Sequence, residues 1–283
     1  MKHIPVLLDA VLETLGDVGG MRIIDATFGA GGYSQAFLSR GATVVAFDRD
    51  PNVRDDAARM QDVFGNRFTF VGKTFSHINE LDNRFDAIVF DFGISSMQID
   101  TPERGFSFRS DGPLDMRMDS NANTPTAADL IKQISVDELA MVLRDYGNVS
   151  KARVLARAIK DALPTTTFQL RDLIYVPRDI APVFQALRIA VNDEFGEIRR
   201  ALNVVPDLLK PHGKCICVTF HSIEDRIVKN QFRDWTMPPG NPRIPTNVSS
   251  PFILMHTRTP SQDEVAANPR ARSAHMRAVE KSY

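Results

Sequence analysis

Residues 23–32, Ile-Ile-Asp-Ala-Thr-Phe-Gly-Ala-Gly-Gly, read as the end of a β-strand, a tight glycine turn and the start of a helix. Ile23 and Ile24 give the strand its apolar character. Gly29, Gly31 and Gly32 allow a sharp turn and the close approach of a ligand to the backbone. Ala36, Phe37 and Leu38 then continue with helix-compatible spacing. In open α/β sheets a strand–glycine turn–helix unit is the usual nucleotide cradle, at the carboxyl end of the first strand. Val44–Phe47 reads as a second strand that runs into Asp48. That acid lies about twenty residues beyond the first glycine, the spacing of a carboxylate that grips ribose hydroxyls.

Two ligand classes compete for such a cradle. A dinucleotide fingerprint asks for Gly-x-Gly-x-x-Gly, but after Gly29 and Gly31 the third position is Ser34. Asp25 is a poor neighbour for a pyrophosphate. It suits the cationic ammonium and sulfonium of S-adenosylmethionine. Asp48 serves either ligand and supports the fold more than it selects between them.

The 283 residues, 43% of them apolar, can bury one large core or two smaller ones. Pro51 opens a helix, Phe68–Val71 a third strand and Phe85–Asp91 a fourth. This alternation predicts an α/β fold with a parallel sheet and helices on both faces. Ligands of such sheets sit outside the carboxyl ends of the strands, which nominates Asp91, Ser95, Ser96 and Gln98. His3–Leu8 is expected to open a helix to about Leu15. From about Thr124 to Leu209 the apolar spacing is helical throughout, with one long helix expected from Phe184 to Leu209. The sheet resumes at Lys214–Phe220 and ends in His221. Met237–Pro251 reads as a loop, and Phe252–His256 with Ala274–Val279 as a closing antiparallel pair.

A net charge of −1 makes the chain no polycation, so a nucleic-acid partner needs a local basic surface. From Arg226 to Tyr283 nine Lys or Arg face four Asp or Glu, which suits a phosphate backbone. Arg270 and Arg272 lie in that stretch. The segment from Arg104 to Asp119 mixes Phe106 and Phe108 with Arg104 and Arg117, a pattern that can stack bases and hold phosphates. An internally paired structural loop is the other reading of the same residues. Cys215 and Cys217 alternate with apolar residues and read as core. With no second pair of thiols or histidine cluster, no metal site is expected. Sparse cysteine suits a cytoplasmic protein. No signal peptide and no apolar run of about 18 residues is expected to cross a membrane.

With these residues laid out, the chain resembles the bacterial 16S ribosomal RNA (cytosine-1402 N4) methyltransferases. The resemblance spans nearly the full length. It rests on His3–Leu8, Asp25–Gly29, Arg104–Phe108, Asp111–Asp119, Phe184–Asn192, Phe220–Lys229 and Asn268–Ala274. It implies a Rossmann-like class I methyltransferase sheet, mostly parallel with an antiparallel final strand, and an inserted all-helical domain. The corresponding boundaries are residues 1–110 and 201–283 for the sheet domain and 111–200 for the insertion. It also implies S-adenosylmethionine as donor and N4 of one decoding-centre cytidine, within the small ribosomal subunit, as target. By position the family's cofactor residues fall on Gly31, Gly32, Tyr33, Asp48, Phe75, Asp91 and Gln98. Arg188 and Asn192, from the shared Phe184–Asn192 segment, join the candidate RNA contacts, and a homodimer is among the assemblies considered. Asp91, Ser95 and Ser96 are the candidate acceptors for the amine, with Asp111 and His221 behind them. The chain departs from the family where Tyr33 replaces a usual His, Met97 a Pro, Asn148-Val149 a Glu pair, and Arg178–Pro182 a His-Pro-Ala-Thr-Arg run. Those departures keep open an alternative, a noncatalytic RNA-binding or assembly protein on the same scaffold. A nicotinamide-dependent dehydrogenase is the third reading.

Overall fold

The computed structural model describes residues 5–82, 84–237 and 250–283. His3 and Ile4, and most of the Met237–Pro251 loop, lie outside the described residues. Seven strands form one sheet: β1 (Arg22–Asp25), β2 (Thr43–Phe47), β3 (Phe68–Val71), β4 (Phe85–Asp91), β5 (Leu209–Thr219), β6 (Phe252–Leu254) and β7 (His275–Lys281), in the order β3-β2-β1-β4-β5-β7-β6. All neighbours as far as β5 are parallel, while β7 runs antiparallel to both β5 and β6. This is the Rossmann-like class I sheet. The strand order reverses between β1 and β4, and such a switch point opens a crevice at the carboxyl ends of the strands.

The chain divides into two compact units, residues 1–93 with 196–283, and residues 94–195. In the first unit, Ile23, Val44, Val89, Ile216 and Val218 pack with residues of α1 (Leu8–Leu15), α2 (Gly32–Ser39) and α3 (Arg54–Phe64). The alternate residues Ile24, Ile88, Phe90, Cys215 and Cys217 are equally buried. Burial of both sets is what a parallel sheet covered on both faces requires, and it explains the unbroken apolar runs of these strands. Helix α1 starts at Leu8, later than the sequence suggests, because Leu7 takes a left-handed conformation, φ 58°, at its N-cap. Strand β5 starts earlier, at Leu209. Pro211 and Gly213 mask the strand pattern there, and the register to β4 shifts between Phe85 and Ala87.

The second unit contains α4 (Ser96–Asp100), α5 (Ala127–Gln133), α6 (Val136–Gly147), α7 (Ala152–Ala162), α8 (Thr167–Asp172) and α9 (Ile180–Asn192). Ser95, Thr126 and Ser135 each close a reciprocal capping box at the start of α4, α5 and α6. Phe106, Leu114, Met116 and Met118 are buried with Ile131, Leu139, Leu143 and Leu187 in this unit's core. The Arg104–Asp119 segment therefore belongs to the helical unit, whose first boundary lies at Gly93 rather than at residue 110. The single helix expected over Phe184–Leu209 is two, α9 and α10 (Glu194–Leu208), because Asp193 turns left-handed at φ 47°. The apolar stripe of Leu187, Val191, Phe195 and Ile198 runs across that break, so periodicity alone does not reveal it.

The remaining helices are α11 (Ser222–Thr236) and α12 (Gln262–Ala267), both in the first unit. Strands β6 and β7 are the expected antiparallel pair. No helix among the described residues is long and apolar enough to cross a membrane.

Candidate active site

The turn after β1 is laced to the strands on either side of it. Ala26 N donates to Val89 O at 2.9 Å and Phe28 N to Phe47 O at 2.8 Å. Thr27 Oγ1 accepts from the backbone N–H of Asp91 at 2.7 Å. The three glycines have separate tasks. Gly29 (φ 52°) donates its N–H to Asp48 Oδ2 at 2.8 Å, and a Cβ there would meet nothing within 4 Å. It faces the open side of the cradle. A Cβ on Gly31 (φ 76°) would lie 2.7 Å from Met60 Cε and 2.8 Å from Phe28 Cζ. One on Gly32 would lie 2.3 Å from Pro5 Cγ. Gly31 and Gly32 are thus small for the sake of packing.

Asp25 is fully buried at the end of β1. Its Oδ2 accepts from Ser34 Oγ at 2.6 Å and Ser34 N at 3.1 Å, and Oδ1 accepts from Thr27 N at 3.3 Å. Ser34, which breaks the dinucleotide fingerprint, is Asp25's partner. Burial outweighs these hydrogen bonds and, with the charge of Asp48, pushes Asp25 up to about 6. Asp48 follows β2. Its Oδ1 accepts from Asp50 N at 2.9 Å while Oδ2 takes Gly29 N, and burial raises its proton affinity also. Phe75, in the 3-10 turn after β3, meets Phe90 and Phe92 edge-on with ring centroids 5.9 and 5.7 Å away. The three rings form an aromatic wall.

Asp91 ends β4. Among the described residues its Oδ1 is buried with no hydrogen-bond partner. Burial, then the charges of Asp25 and Glu224, hold its carboxyl well above the usual range. At the end of β5, His221 caps α11. Its Nε2 lies 2.8 Å from Oε1 of the fully buried Glu224, whose Oε2 accepts Phe220 N at 2.9 Å. Acids thus stand at the ends of β1, β2 and β4, with Glu224 behind β5. Such a crevice is short of positive charge and complements a cationic ligand.

The MraW methylase family matches this chain over residues 1–282. The curated relatives include the ribosomal RNA small subunit methyltransferase H of Gluconobacter oxydans, 44% identical over 98% of this chain and 92% of that protein. The protein of the same name from Rhizobium johnstonii is 42% identical over 100% of this chain and 88% of its own. Among solved structures, a rRNA methylase from Streptococcus thermophilus aligns over 98% of this chain and 94% of that chain, with 12% identity and a TM-score of 0.44. The chain belongs to the MraW methylase family.

In this MraW methylase the helical unit ties many of its polar side chains to one another and to its own backbone. Ser95 Oγ accepts Gln98 N at 3.2 Å and Gln98 Oε1 accepts Ser95 N at 3.0 Å, so both side chains shape the start of α4. Ser96 is the first residue of that helix. Asp111 accepts from Phe168 N at 3.0 Å and from Thr167 Oγ1 at 3.3 Å, and these bonds lower its proton affinity. Arg104 donates to the carbonyls of Arg117 and Met118 at 3.0 and 2.8 Å, with its guanidinium 5.7 Å from the Phe106 ring. Arg117 forms a two-point pair with Asp115 at 2.8 and 2.7 Å. Phe106 is buried, and Phe108 stands edge-on to Phe184 at 5.5 Å. Arg188 and Glu194 form a buried two-point pair at 2.7 and 3.0 Å. Asn192 accepts from Met118 N at 2.8 Å and donates to Met116 O at 2.7 Å. In the sheet unit, by contrast, Arg270 and Arg272 are exposed on the 3-10 turn Pro269–Ser273.

Sequence reasoning missed Thr27, Ser34 and Glu224. Ser34 carried a signal, because it replaces the third glycine nine residues after a buried acid. Glu224 sits at i+3 from His221, the spacing of a cap. Tyr33 is tied by its side chain: its ring stacks on Phe37 at 6.1 Å and its hydroxyl donates to Val6 O.

Proposed function

We propose that this chain transfers a methyl group from S-adenosylmethionine to the N4 amine of one cytidine in the decoding centre of 16S rRNA. The carrying observation is Asp91, at the carboxyl end of β4 beside the glycine cradle: a half-buried residue whose carboxylate Oδ1 is buried with no hydrogen-bond partner among the described residues. The residues fit the donor. Asp25 is fully buried and Asp91 has a buried Oδ1; both have raised proton affinity, which a ligand bearing a sulfonium and an ammonium would relieve. Asp48 would take the ribose, while Phe75 of the aromatic wall would lie against the adenine. Gly29 leaves the backbone open to the ligand. Bound there, the donor supplies an activated methyl group, so no strong base has to act first.

The cytosine amine is a weak nucleophile because its lone pair is delocalised into the ring. The protein's task is to hold N4 in line with the methyl, about 3 Å away, and to receive a proton as the nitrogen becomes tetrahedral. Asp91 is the assigned acceptor. Its Oδ1, without a partner among the described residues, can take a hydrogen bond from the amine, and the carboxyl ionises once positive charge is near. Ser95 already serves as a helix cap, and Asp111 holds a proton too weakly. The cytidine must leave its stack to reach the strand ends. Arg270 and Arg272, exposed in the basic C-terminal stretch, are assigned to the RNA backbone.

The test is methyl transfer from labelled donor to small ribosomal subunits taken from cells lacking this enzyme, with the product nucleoside identified by mass spectrometry. N4-methylcytidine at a single position is the expected product. Tight donor binding with no transfer to the subunit would favour the noncatalytic RNA-binding alternative instead.

A further inference from the structure

Residues 5–7, directly before α1, form a strap that is tied down at three points. Pro5 packs on Gly32, close enough that a Cβ there would come within 2.3 Å of its ring. The carbonyl of Val6 accepts a buried hydrogen bond from the Tyr33 hydroxyl. The N–H of Leu7 donates to Oε1 of Glu264, from α12, at 2.6 Å. Val6 and Leu7 are both buried, in the cluster that contains Phe28, Tyr33 and Phe37. Leu7 is left-handed at φ 58°, a conformation that a leucine keeps only when its surroundings impose it.

The cradle needs such a brace. Gly31 and Gly32 stand in sequence at the start of α2, and two consecutive glycines leave a chain many conformations. Gly31 is held by Met60 and Phe28, and Gly32 by Pro5. Fixing both before the ligand arrives removes an ordering cost from binding. We propose that Tyr33 and Glu264 are positioning residues for the methyl donor: they hold the Pro5–Leu7 strap on Gly32 and so preset the backbone of the cradle. This rests on the reading of residues 25–33 as the donor's site. Tyr33 remains a donor at working pH, since burial and the charges of Asp91, Asp25 and Glu264 hold its hydroxyl well above the ordinary tyrosine range. Glu264 also links the strap to the segment bearing Arg270 and Arg272, through the chain from α12 to the 3-10 turn.

The experiment compares the full-length chain with Tyr33→Phe, Glu264→Ala and Glu264→Gln. Three quantities are read: S-adenosylhomocysteine affinity by calorimetry, thermal midpoint, and hydrogen exchange of the amides at residues 28–34 without ligand. Tyr33→Phe and Glu264→Ala should each weaken binding about tenfold, the size of one buried hydrogen bond, and speed exchange at 28–34. Glu264→Gln keeps an acceptor for Leu7 N and should bind within about twofold of the unaltered chain. If the two disruptive variants lower the midpoint yet bind as tightly as the unaltered chain, the ties are only structural and the inference is overturned. If the unaltered chain itself fails to bind, the assignment of the cradle falls and the inference with it.

Discussion

The polar groups of the sheet unit's crevice and those of the helical unit are treated in opposite ways. In the helical unit they are paired among themselves. Arg188 is matched to Glu194, Arg117 to Asp115, Asn192 to the backbone of Met116 and Met118, and Lys160 to the carbonyls of Ile131 and Ile134. At the strand ends acids outnumber cations: Asp25 and Asp91 both bind protons more tightly than usual, and Asp91 Oδ1 has no partner among the described residues. Matched groups hold a fold together. Buried acids left short of positive charge mark the place where a ligand completes the electrostatics.

The largest stability effect should come from the paired side of this comparison. Arg188→Ala leaves Glu194 buried without its ion partner, and the protein should lose about 3–5 kcal/mol in denaturant unfolding. Glu194→Gln alone should cost less, because the amide retains a hydrogen bond to Arg188. An effect below about 1 kcal/mol for Arg188→Ala would show the pair to be no more than a surface contact.

The unpaired side should show itself in pH. Asp25 is raised from 3.8 to about 6, so its contribution to stability is fully present below pH 3.8 and is lost as pH rises through about 6. The shift corresponds to about 3 kcal/mol between those limits, superimposed on the other carboxylates. Donor affinity should move the other way, rising through about pH 6 as Asp25 ionises toward a cationic ligand. Affinity for S-adenosylmethionine that stays flat from pH 5 to 8 would contradict this electrostatic reading.

Smaller effects separate the glycines. Gly31→Ala drives a methyl group into Met60 and Phe28 at a positive φ and should lower the thermal midpoint more than Gly29→Ala, which meets only the backbone cost of about 1 kcal/mol. Gly29→Ala should instead be the more damaging to ligand affinity, since it points into the open cradle. The smallest change is expected for Asp111→Asn. Its carboxylate is a helix-capping group of lowered proton affinity, and turnover should stay within about twofold.

The sheet was legible because parallel strands buried on both faces must be apolar throughout, as Phe85–Phe90 is, and because the cradle carries its own punctuation in Gly29, Gly31 and Gly32. Asp25, Asp48 and Asp91 could be placed from their positions at strand ends alone. What stayed hidden depends on partners distant in sequence. Nothing near Tyr33 announces that its hydroxyl reaches Val6, or that Leu7 is held from Glu264, 257 residues away. The Arg104–Asp119 segment shows the same limit. Its mixture of Phe, Arg and Met suits an RNA-binding loop and an internally paired one equally, and the burial of Phe106, Leu114, Met116 and Met118 requires the helices that follow.

The most direct measurement is single-turnover methyl transfer by the unaltered chain and by Asp91→Asn, with donor and undermethylated small subunits both saturating and N4-methylcytidine read by mass spectrometry. The account predicts one methyl group at one cytidine, formed at least about a hundredfold more slowly by Asp91→Asn, with donor still bound. Equal rates for the two proteins would contradict Asp91 as the proton acceptor, and a methyl group on any other atom would contradict the assigned reaction.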